Sequence, residues 1–101
     1  MSRASGKPYF VYILWSVHAS RFYIGISENP DVRLLQHNAG VSKWTAKFVP
    51  WELVHVEPYA SYSEARKREL LLKKQKGGIG LYTHTGLDPL RFRKKPPPSD
   101  S

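Results

Sequence analysis

The sequence predicts an α+β domain with a small three-stranded antiparallel sheet flanked by helices, in the order β-β-α-β-α. Residues 9–15 and 21–27 are rich in β-branched and aromatic side chains, and the short polar stretch between them can turn the chain back. Two later segments carry helix start signals, and a strand-like segment at 51–57 lies between them. With 101 residues, the chain forms one domain with one modest core.

The first two strands form a hairpin whose register places two tyrosines on one face. With the turn centred on residues 18 and 19, Tyr12 lies opposite Gly25. Leu14 then lies opposite Tyr23, so both tyrosines project from the same face as diagonal neighbours at roughly 7 to 8 Å. Gly25 has no side chain, which leaves room for a close approach to the sheet. The expected result is an aromatic-walled space with two phenol hydroxyls.

The first predicted helix begins at the cap Asn29 and ends at Gly40. Its predicted inward stripe is apolar and consists of Val32, Leu35 and Ala39. Arg33 and His37 are four residues apart, so they lie one above the other on an adjoining face. This spacing places a cation and an imidazole on the same helix face, where both could contact one ligand. A solvated surface arginine would have the same spacing.

Residues 40–50 are predicted to form a loop that contacts nucleic acid. Two lysines alternate here with aromatic residues, and cations suit phosphates while rings suit bases. Stacking of a base on an aromatic ring contributes about 1 to 3 kcal/mol. The candidate contacts are Lys43, Trp44, Thr45 and Lys47. Packing of Trp44 in the core is an equally good interpretation of that residue.

The second helix begins at the cap Ser61 and carries a carboxylate on its apolar stripe. Glu69 shares this stripe with Tyr62, Ala65 and Leu72. Removing an ion from water costs several kcal/mol unless a partner compensates. Glu69 is therefore expected to meet a cation, either a bound metal or an arginine, with Arg33 and Arg66 as the structural alternatives.

Composition indicates a polyanionic partner. Sixteen Lys and Arg against eight Asp and Glu give a net charge of +8, which favours nucleic acid. The absence of cysteine excludes disulfides and thiolate metal sites, and no apolar run is long enough to span a bilayer. No zinc or nucleotide-cofactor motif occurs. We expect a cytoplasmic protein with a flexible segment at 1–8, a folded domain at 9–83 and a mobile, basic, proline-rich tail at 84–101.

These residues resemble the GIY-YIG endonucleases, whose two name motifs lie on paired strands. The first motif occurs here as Phe10-Val11-Tyr12, which keeps only the tyrosine, and the second is intact as Tyr23-Ile24-Gly25. Arg33, His37 and Glu69 stand where the family has an arginine, a His or Tyr, and a metal-binding glutamate. The resemblance covers about residues 9 to 76 and is greatest to the small stand-alone bacterial branch.

The resemblance implies a metal-dependent endonuclease that hydrolyses DNA phosphodiester bonds, with repair, recombination or uptake as the suggested pathways. It makes Tyr12, Tyr23, Arg33, His37 and Glu69 the catalytic residues, and Glu69 the ligand of Mg²⁺ or Mn²⁺. A tyrosine would remove a proton from water, Arg33 would bind the phosphate, and His37 would orient a tyrosine or relay its proton. Tyr23 is the favoured base. The alternative is a non-catalytic nucleic-acid-binding module or a scaffold within a repair complex.

Overall fold

The computed structural model describes residues 8–92 and confirms the predicted α+β architecture. The elements are β1 (Tyr9–Ser16), β2 (Arg21–Ser27), α1 (Pro30–Asn38), α2 (Lys43–Ala46), β3 (Glu52–Tyr59), α3 (Tyr62–Lys74) and α4 (Ile79–Thr85). The three strands form one antiparallel sheet in the order β2-β1-β3. The central strand β1 therefore carries the first motif tyrosine between two neighbours, while β2 forms an edge.

The hairpin has the predicted register, with Tyr12 paired with Gly25 and Leu14 paired with Tyr23. The predicted end of the third strand before Pro58 is wrong, because β3 continues to Tyr59 and Pro58 pairs with Phe10. Proline is tolerated there because β3 is an edge strand, where its missing N–H group interrupts no second ladder.

The sheet has a different apolar layer on each face. On one face Val11, Ile13 and Ile24 pack against residues of α3 and α4, among them Ala65, Leu72 and Leu81. On the other face Tyr12, Leu14 and Trp51 form a second cluster with Tyr23, Leu34 and Phe48. Alternation along β1 therefore sends the tyrosine to the α1 side of the sheet and its neighbours to the α3 side.

The predicted inward face of α1 is wrong. Leu35 is 69 % exposed and Val32 44 % exposed, and Ala39 is exposed as well. Pro30 and His37 are the buried residues of this helix. The stripe rule assumes that a helix buries its apolar side, whereas α1 turns its Arg33 and His37 side towards the tyrosines. The cap at Asn29 is confirmed by its side chain, which accepts a bond from the N–H group of Val32.

The segment predicted as a loop at 40–50 contains the short helix α2, and the packed part of the chain extends beyond the predicted boundary at residue 83. Phe92 is 2 % exposed, and its ring lies 5.3 Å from those of Trp15 and Phe22. An aromatic side chain that can reach a core thus fixes residues that composition alone assigned to a mobile tail.

The predictions for residues 1–7 and 93–101 lie outside the described residues. Within residues 8–92, no helix is long and apolar enough to cross a membrane.

Candidate active site

The two motif tyrosines meet His37 in one cluster on the α1 side of the sheet. The Tyr12 hydroxyl lies 3.0 Å from His37 Nε2. The Tyr23 ring centre lies 4.7 Å from the imidazole and 6.2 Å from the Tyr12 ring. Tyr12 is 1 % exposed and His37 is fully buried, whereas Tyr23 is half-buried. Only the second motif tyrosine of this pair therefore combines contact with the cluster and partial access to solvent.

The partners of His37 determine where its proton lies. Arg33 Nη2 lies 3.4 Å from Nε2, and a guanidinium can only donate, so Nε2 carries the lone pair. The ring then donates from Nδ1 to Thr45 Oγ1 at 2.9 Å, and the Thr45 hydroxyl donates to the Ser42 carbonyl oxygen at 3.4 Å. The Tyr12 hydroxyl accordingly donates to Nε2. In this tautomer His37 Nε2 accepts the hydrogen bond of the Tyr12 hydroxyl.

Burial and charge shift both groups away from their ordinary protonation ranges. Burial lowers the pKa of His37, and the positive charge of Arg33 lowers it further, so the imidazole is neutral at neutral pH. Burial raises the pKa of Tyr12, and Arg33 beside the hydroxyl only partly offsets this. The Tyr23 side chain adds to the rise. Tyr12 is consequently a protonated hydrogen-bond donor in the resting cluster.

Gly25 is the residue that lets the Tyr12 ring lie flat against the sheet. A Cβ atom at position 25 would lie 2.7 Å from the Tyr12 hydroxyl oxygen and 2.8 Å from its ring carbon Cζ. Real Cβ contacts are essentially never this short. The close approach expected at this glycine is thus made by the tyrosine of the first motif, which lies directly opposite on β1.

Arg33 lies beside the cluster on α1 and is held by its own helix. Its Nη1 donates to Gln36 Oε1 at 2.5 Å, while Nη2 approaches His37. The guanidinium is half-buried and keeps further donor positions free of these two contacts. One arginine therefore fixes the imidazole and presents positive charge next to Tyr12.

The α2 segment supplies both support for the cluster and an exposed ring. Thr45 is 1 % exposed and bonded to His37, so the expectation that it contacts nucleic acid is wrong, because its hydroxyl points inward. Trp44 is 45 % exposed and lies 6.3 Å from Tyr23 and 5.0 Å from Phe48 between ring centres. Trp44 thus packs at the edge of the core and still exposes part of its ring to solvent. Lys43 and Lys47 flank it and are exposed.

Sequence reasoning missed the residues that fasten α1 and α2 to β3. The Asn38 side chain donates to the Trp51 carbonyl oxygen at 3.1 Å and accepts from the Trp51 N–H group at 2.6 Å. The Trp51 indole N–H group donates to the Thr45 carbonyl oxygen at 2.8 Å. No local pattern marks these contacts, since they join residues that are distant along the chain.

Glu69 lies apart from this cluster, on the α3 side of the sheet. Its side chain is buried, and both carboxylate oxygens bind cations: Arg66 Nη1 at 2.6 Å and Lys73 Nζ at 2.8 Å. The prediction that Glu69 meets a cation is confirmed. Of the two structural alternatives, Arg66 is the partner and Arg33 is not. Lys73 was missed, although its spacing of four residues from Glu69 on a helix would have indicated it.

The Glu69 carboxylate suits a hard divalent cation in its donor chemistry. Burial opposes ionisation, but hydrogen bonds from Lys73 and Arg66 outweigh it and lower the pKa of Glu69, so the oxygens are anionic at neutral pH. Mg²⁺ commonly takes one or two carboxylates, with waters and phosphate oxygens as its other ligands. The Arg66 and Lys73 side chains are 48 % and 47 % exposed, so they can turn into solvent. Within residues 8–92, no group of three His, Cys, Asp or Glu side chains offers a fuller metal site.

Comparison with known proteins agrees with the geometry of the cluster. The family model described as the GIY-YIG catalytic domain matches residues 8–81. The chain belongs to the GIY-YIG family. The match includes every residue of the tyrosine cluster and Glu69. The family is one of nucleases, and its members generally depend on a divalent metal.

Several curated relatives of the chain are UPF0213 proteins. One from Enterococcus faecalis is 38 % identical over 71 residues, which cover 67 % of this chain and 80 % of the relative. Others from Staphylococcus epidermidis and Natronomonas pharaonis are each 38 % identical over 66 residues, covering 64 % of this chain and 79 % and 76 % of the relatives. No solved structure matches the chain. The relatives therefore support membership of the family, and their names state no activity.

Proposed function

We propose that this GIY-YIG domain is a divalent-metal-dependent endonuclease that hydrolyses phosphodiester bonds in DNA. The observation that carries the proposal is the convergence of Tyr12, Tyr23, Arg33 and His37, with the Tyr12 hydroxyl 3.0 Å from His37 Nε2. Phosphodiester hydrolysis needs a base for the attacking water, a cation for the phosphate charge and a stabilised leaving oxygen. The cluster supplies side chains for the first two tasks.

Tyr23 is the proposed acceptor of the proton from water. Its side chain is half-buried and therefore open to water, whereas Tyr12 is enclosed. An unperturbed phenol has a pKa of about 10 and is a weak base at neutral pH. Tyr12 and neutral His37 then form the next two positions through which the proton can pass.

Arg33 is the proposed ligand of the phosphate. His37 and Tyr12 are proposed to position Arg33 and the proton acceptor Tyr23. A guanidinium suits phosphate oxygens because its donors form a planar fork. The contact between Arg33 and His37 Nε2 fixes the side chain before substrate arrives. Thr45 holds the imidazole from the other nitrogen, and so its buried position supports catalysis through orientation.

Glu69 is the proposed ligand for Mg²⁺ or Mn²⁺, with Arg66 or Lys73 turned into solvent. When bound, such an ion would supply Lewis-acid charge for the hydrolysis of a phosphodiester. In its absence the two cations neutralise the carboxylate. The ionised Glu69 carboxylate is thus stabilised in the free protein. Its oxygens become available as ligands when a divalent metal ion displaces Arg66 or Lys73.

The DNA-binding surface is proposed to include Lys43, Lys47 and the exposed face of Trp44. The lysines are on the solvent side of α2, and Trp44 is in ring contact with Tyr23. A nucleobase stacked on Trp44 would place its DNA strand next to Tyr23, the proposed proton acceptor. The absence of cysteine and the proposed DNA substrate support a cytoplasmic location.

The decisive experiment is a cleavage assay on labelled single-stranded, duplex and branched DNA with Mg²⁺, Mn²⁺ or chelator. We expect metal-dependent cleavage of at least one substrate by the wild type, and a loss of at least about a hundredfold in Arg33→Gln. Lys67→Gln, which removes an exposed charge on α3, is the matched control. Binding without cleavage under every condition would instead support the non-catalytic module.

A further inference from the structure

Trp44 is an exposed aromatic side chain whose orientation is fixed by its neighbours. It is 45 % exposed, yet its ring centre lies 5.0 Å from that of Phe48 and 6.3 Å from those of Tyr23 and Trp51. Trp51 is buried, so these contacts tie the indole to the core. A ring that is already held in place can bind a flat group without paying for its own ordering.

Two unpaired lysines lie on either side of Trp44 along the chain. Lys43 and Lys47 are exposed, and residues 40–51 contain no acidic side chain. Within residues 8–92 neither lysine takes part in an ion pair. Their charge is therefore available to an anionic ligand that reaches the Trp44 ring.

Arg21 adds a third cation from β2. It lies on the same face of this strand as Tyr23, because side chains two residues apart on a strand share a face. Its guanidinium lies 5.4 Å from the centre of the Phe48 ring, and Phe48 packs on Trp44. Arg21 is exposed and forms no ion pair with any residue that the structure describes. The Trp44 surface thus consists of Trp44, Phe48 and the three cations Arg21, Lys43 and Lys47.

The chemistry of the Trp44 surface suits an unpaired nucleotide better than a base pair. A base inside a duplex is stacked on both faces, so it can stack on a protein ring only after its pairing and stacking are broken. A single strand offers free base faces next to its phosphates, and aromatic rings among cations are the usual means of binding it. Charge alone would favour duplex, which carries more phosphates per unit length. The exposed ring is therefore the feature that distinguishes the two forms of DNA.

We propose that the Trp44 surface binds an unpaired nucleobase, so that the domain acts on single-stranded DNA or unpaired nucleotides in preference to continuous duplex. The proposal rests on the proposed function and adds to it the class of substrate. Trp44 is in ring contact with Tyr23, so a strand held by its base at Trp44 lies next to the proposed proton acceptor. A continuous duplex meets only the cations of this surface.

The test is DNA binding in chelator, so that no cleavage is needed as a readout. The labelled probes are a single strand, a duplex closed at both ends by linkers without bases, and the same duplex with a central loop of unpaired thymines. Trp44→Leu removes the ring but keeps an apolar side chain, and Trp44→Phe keeps a ring. Tyr62→Leu removes another exposed aromatic side chain, on α3, and is the matched control. Unfolding curves of the variants establish that the fold is intact.

We expect the wild type to bind the single strand and the looped duplex about tenfold more tightly than the closed duplex. Trp44→Leu should lose this preference and bind the closed duplex as the wild type does. Trp44→Phe and Tyr62→Leu should keep the preference. A series of looped duplexes with one abasic residue at each loop position tests the wild type alone, and one position should weaken its binding.

Equal affinity of the wild type for the three probes, or an equal loss by Trp44→Leu on all of them, would overturn the preference for unpaired bases. Such a result leaves the proposed function standing if the wild type cleaves the closed duplex in Mg²⁺ or Mn²⁺. Conversely, a preference that depends on Trp44 in a protein that cleaves no probe would support the base-binding surface and refute the nuclease proposal.

Discussion

Gly25 decides at the scale of single atoms whether the tyrosine cluster can form. The Tyr12 hydroxyl occupies the space where a Cβ atom would stand, and the same hydroxyl is bonded to His37. The sequence predicted that something approaches the sheet at this glycine, because glycine inside a strand often marks a close contact. It could not predict that the partner is the opposite tyrosine, since ring orientation depends on α1 above it.

Gly25→Ala should displace Tyr12 and break its bond to His37. Overpacking of this kind typically costs about 1 to 3 kcal/mol of the free energy of unfolding. Displacement of the ring would also admit water to the imidazole, so the pKa of His37, which burial now lowers, should rise towards its ordinary value. Denaturant unfolding and a nuclear magnetic resonance titration of His37 measure both effects. Unchanged stability together with an unchanged titration would show that a Cβ atom at position 25 does not displace the Tyr12 ring.

Glu69→Gln should abolish metal-dependent turnover with little loss of stability. The Arg66 and Lys73 side chains are half-exposed, so water can solvate them when the carboxylate is lost. We therefore expect the free energy of unfolding to fall by about 1 kcal/mol or less. Glu64→Gln, at an exposed position on the same helix, is the control. Full metal-dependent cleavage by Glu69→Gln would exclude this residue as the metal ligand.

At the scale of elements, a network around Glu57 joins β3 to α3 and α4. The Glu57 carboxylate accepts from Arg68, His55 and Tyr59 at 2.7 to 2.9 Å, and Arg68 also donates to the His84 carbonyl oxygen. Burial alone would raise the pKa of Glu57, but these donors outweigh it and lower the pKa to about 2. His55 is a half-buried residue of β3 and serves as one of these donors.

The Glu57 network should stabilise the fold above pH 4.5 and lose this contribution as the pH falls towards 2. A lowered pKa gives stability that is present above the unfolded value of about 4.5 and is lost on protonation of the folded state. The full shift corresponds to about 3 kcal/mol. Glu57→Gln should lower the unfolding free energy at neutral pH by about this amount and flatten its dependence between pH 4.5 and 2.

Glu52→Gln on the same strand provides the control for this prediction. Its carboxylate is paired with Arg91, but both side chains are more than half exposed, so little change is expected. Equal acid sensitivity of the wild type and Glu57→Gln would contradict the assignment of the low pKa to this network.

The elements also show which structural features a sequence pattern can predict. The hairpin register was predictable, because a strand alternates faces every residue and a slip would separate the tyrosines. The buried face of α1 was not, because this helix buries His37 and leaves Leu35 in solvent. A helix that covers a polar site departs from the apolar-stripe rule, and Arg33 and His37 were the signal of that departure. Phe92 likewise reaches its core partners only through the tertiary fold.

At the scale of the whole molecule, the net charge of +8 should make DNA binding steeply dependent on salt. Each phosphate contact contributes about 0.9 to the slope on duplex and about 0.7 on single strands. Lys43→Gln/Lys47→Gln should therefore flatten the slope by roughly 1.4 to 1.8 if each lysine meets one phosphate. Lys67→Gln/Lys74→Gln removes the same charge from α3 as a control. Equal slopes for these two variants would show that α2 does not face the DNA.

The central claim is that the two tyrosines serve one catalytic site. The measurement is the single-turnover rate of DNA cleavage by the wild type, Tyr12→Phe, Tyr23→Phe and the double variant, with the exposed Tyr62→Phe as control. Phenylalanine keeps the ring packing and removes only the hydroxyl. We predict that each single variant is slower and that the double variant loses less than the product of the two single losses. A wild-type rate in either single variant would contradict the claim, because that tyrosine would then be a packing residue.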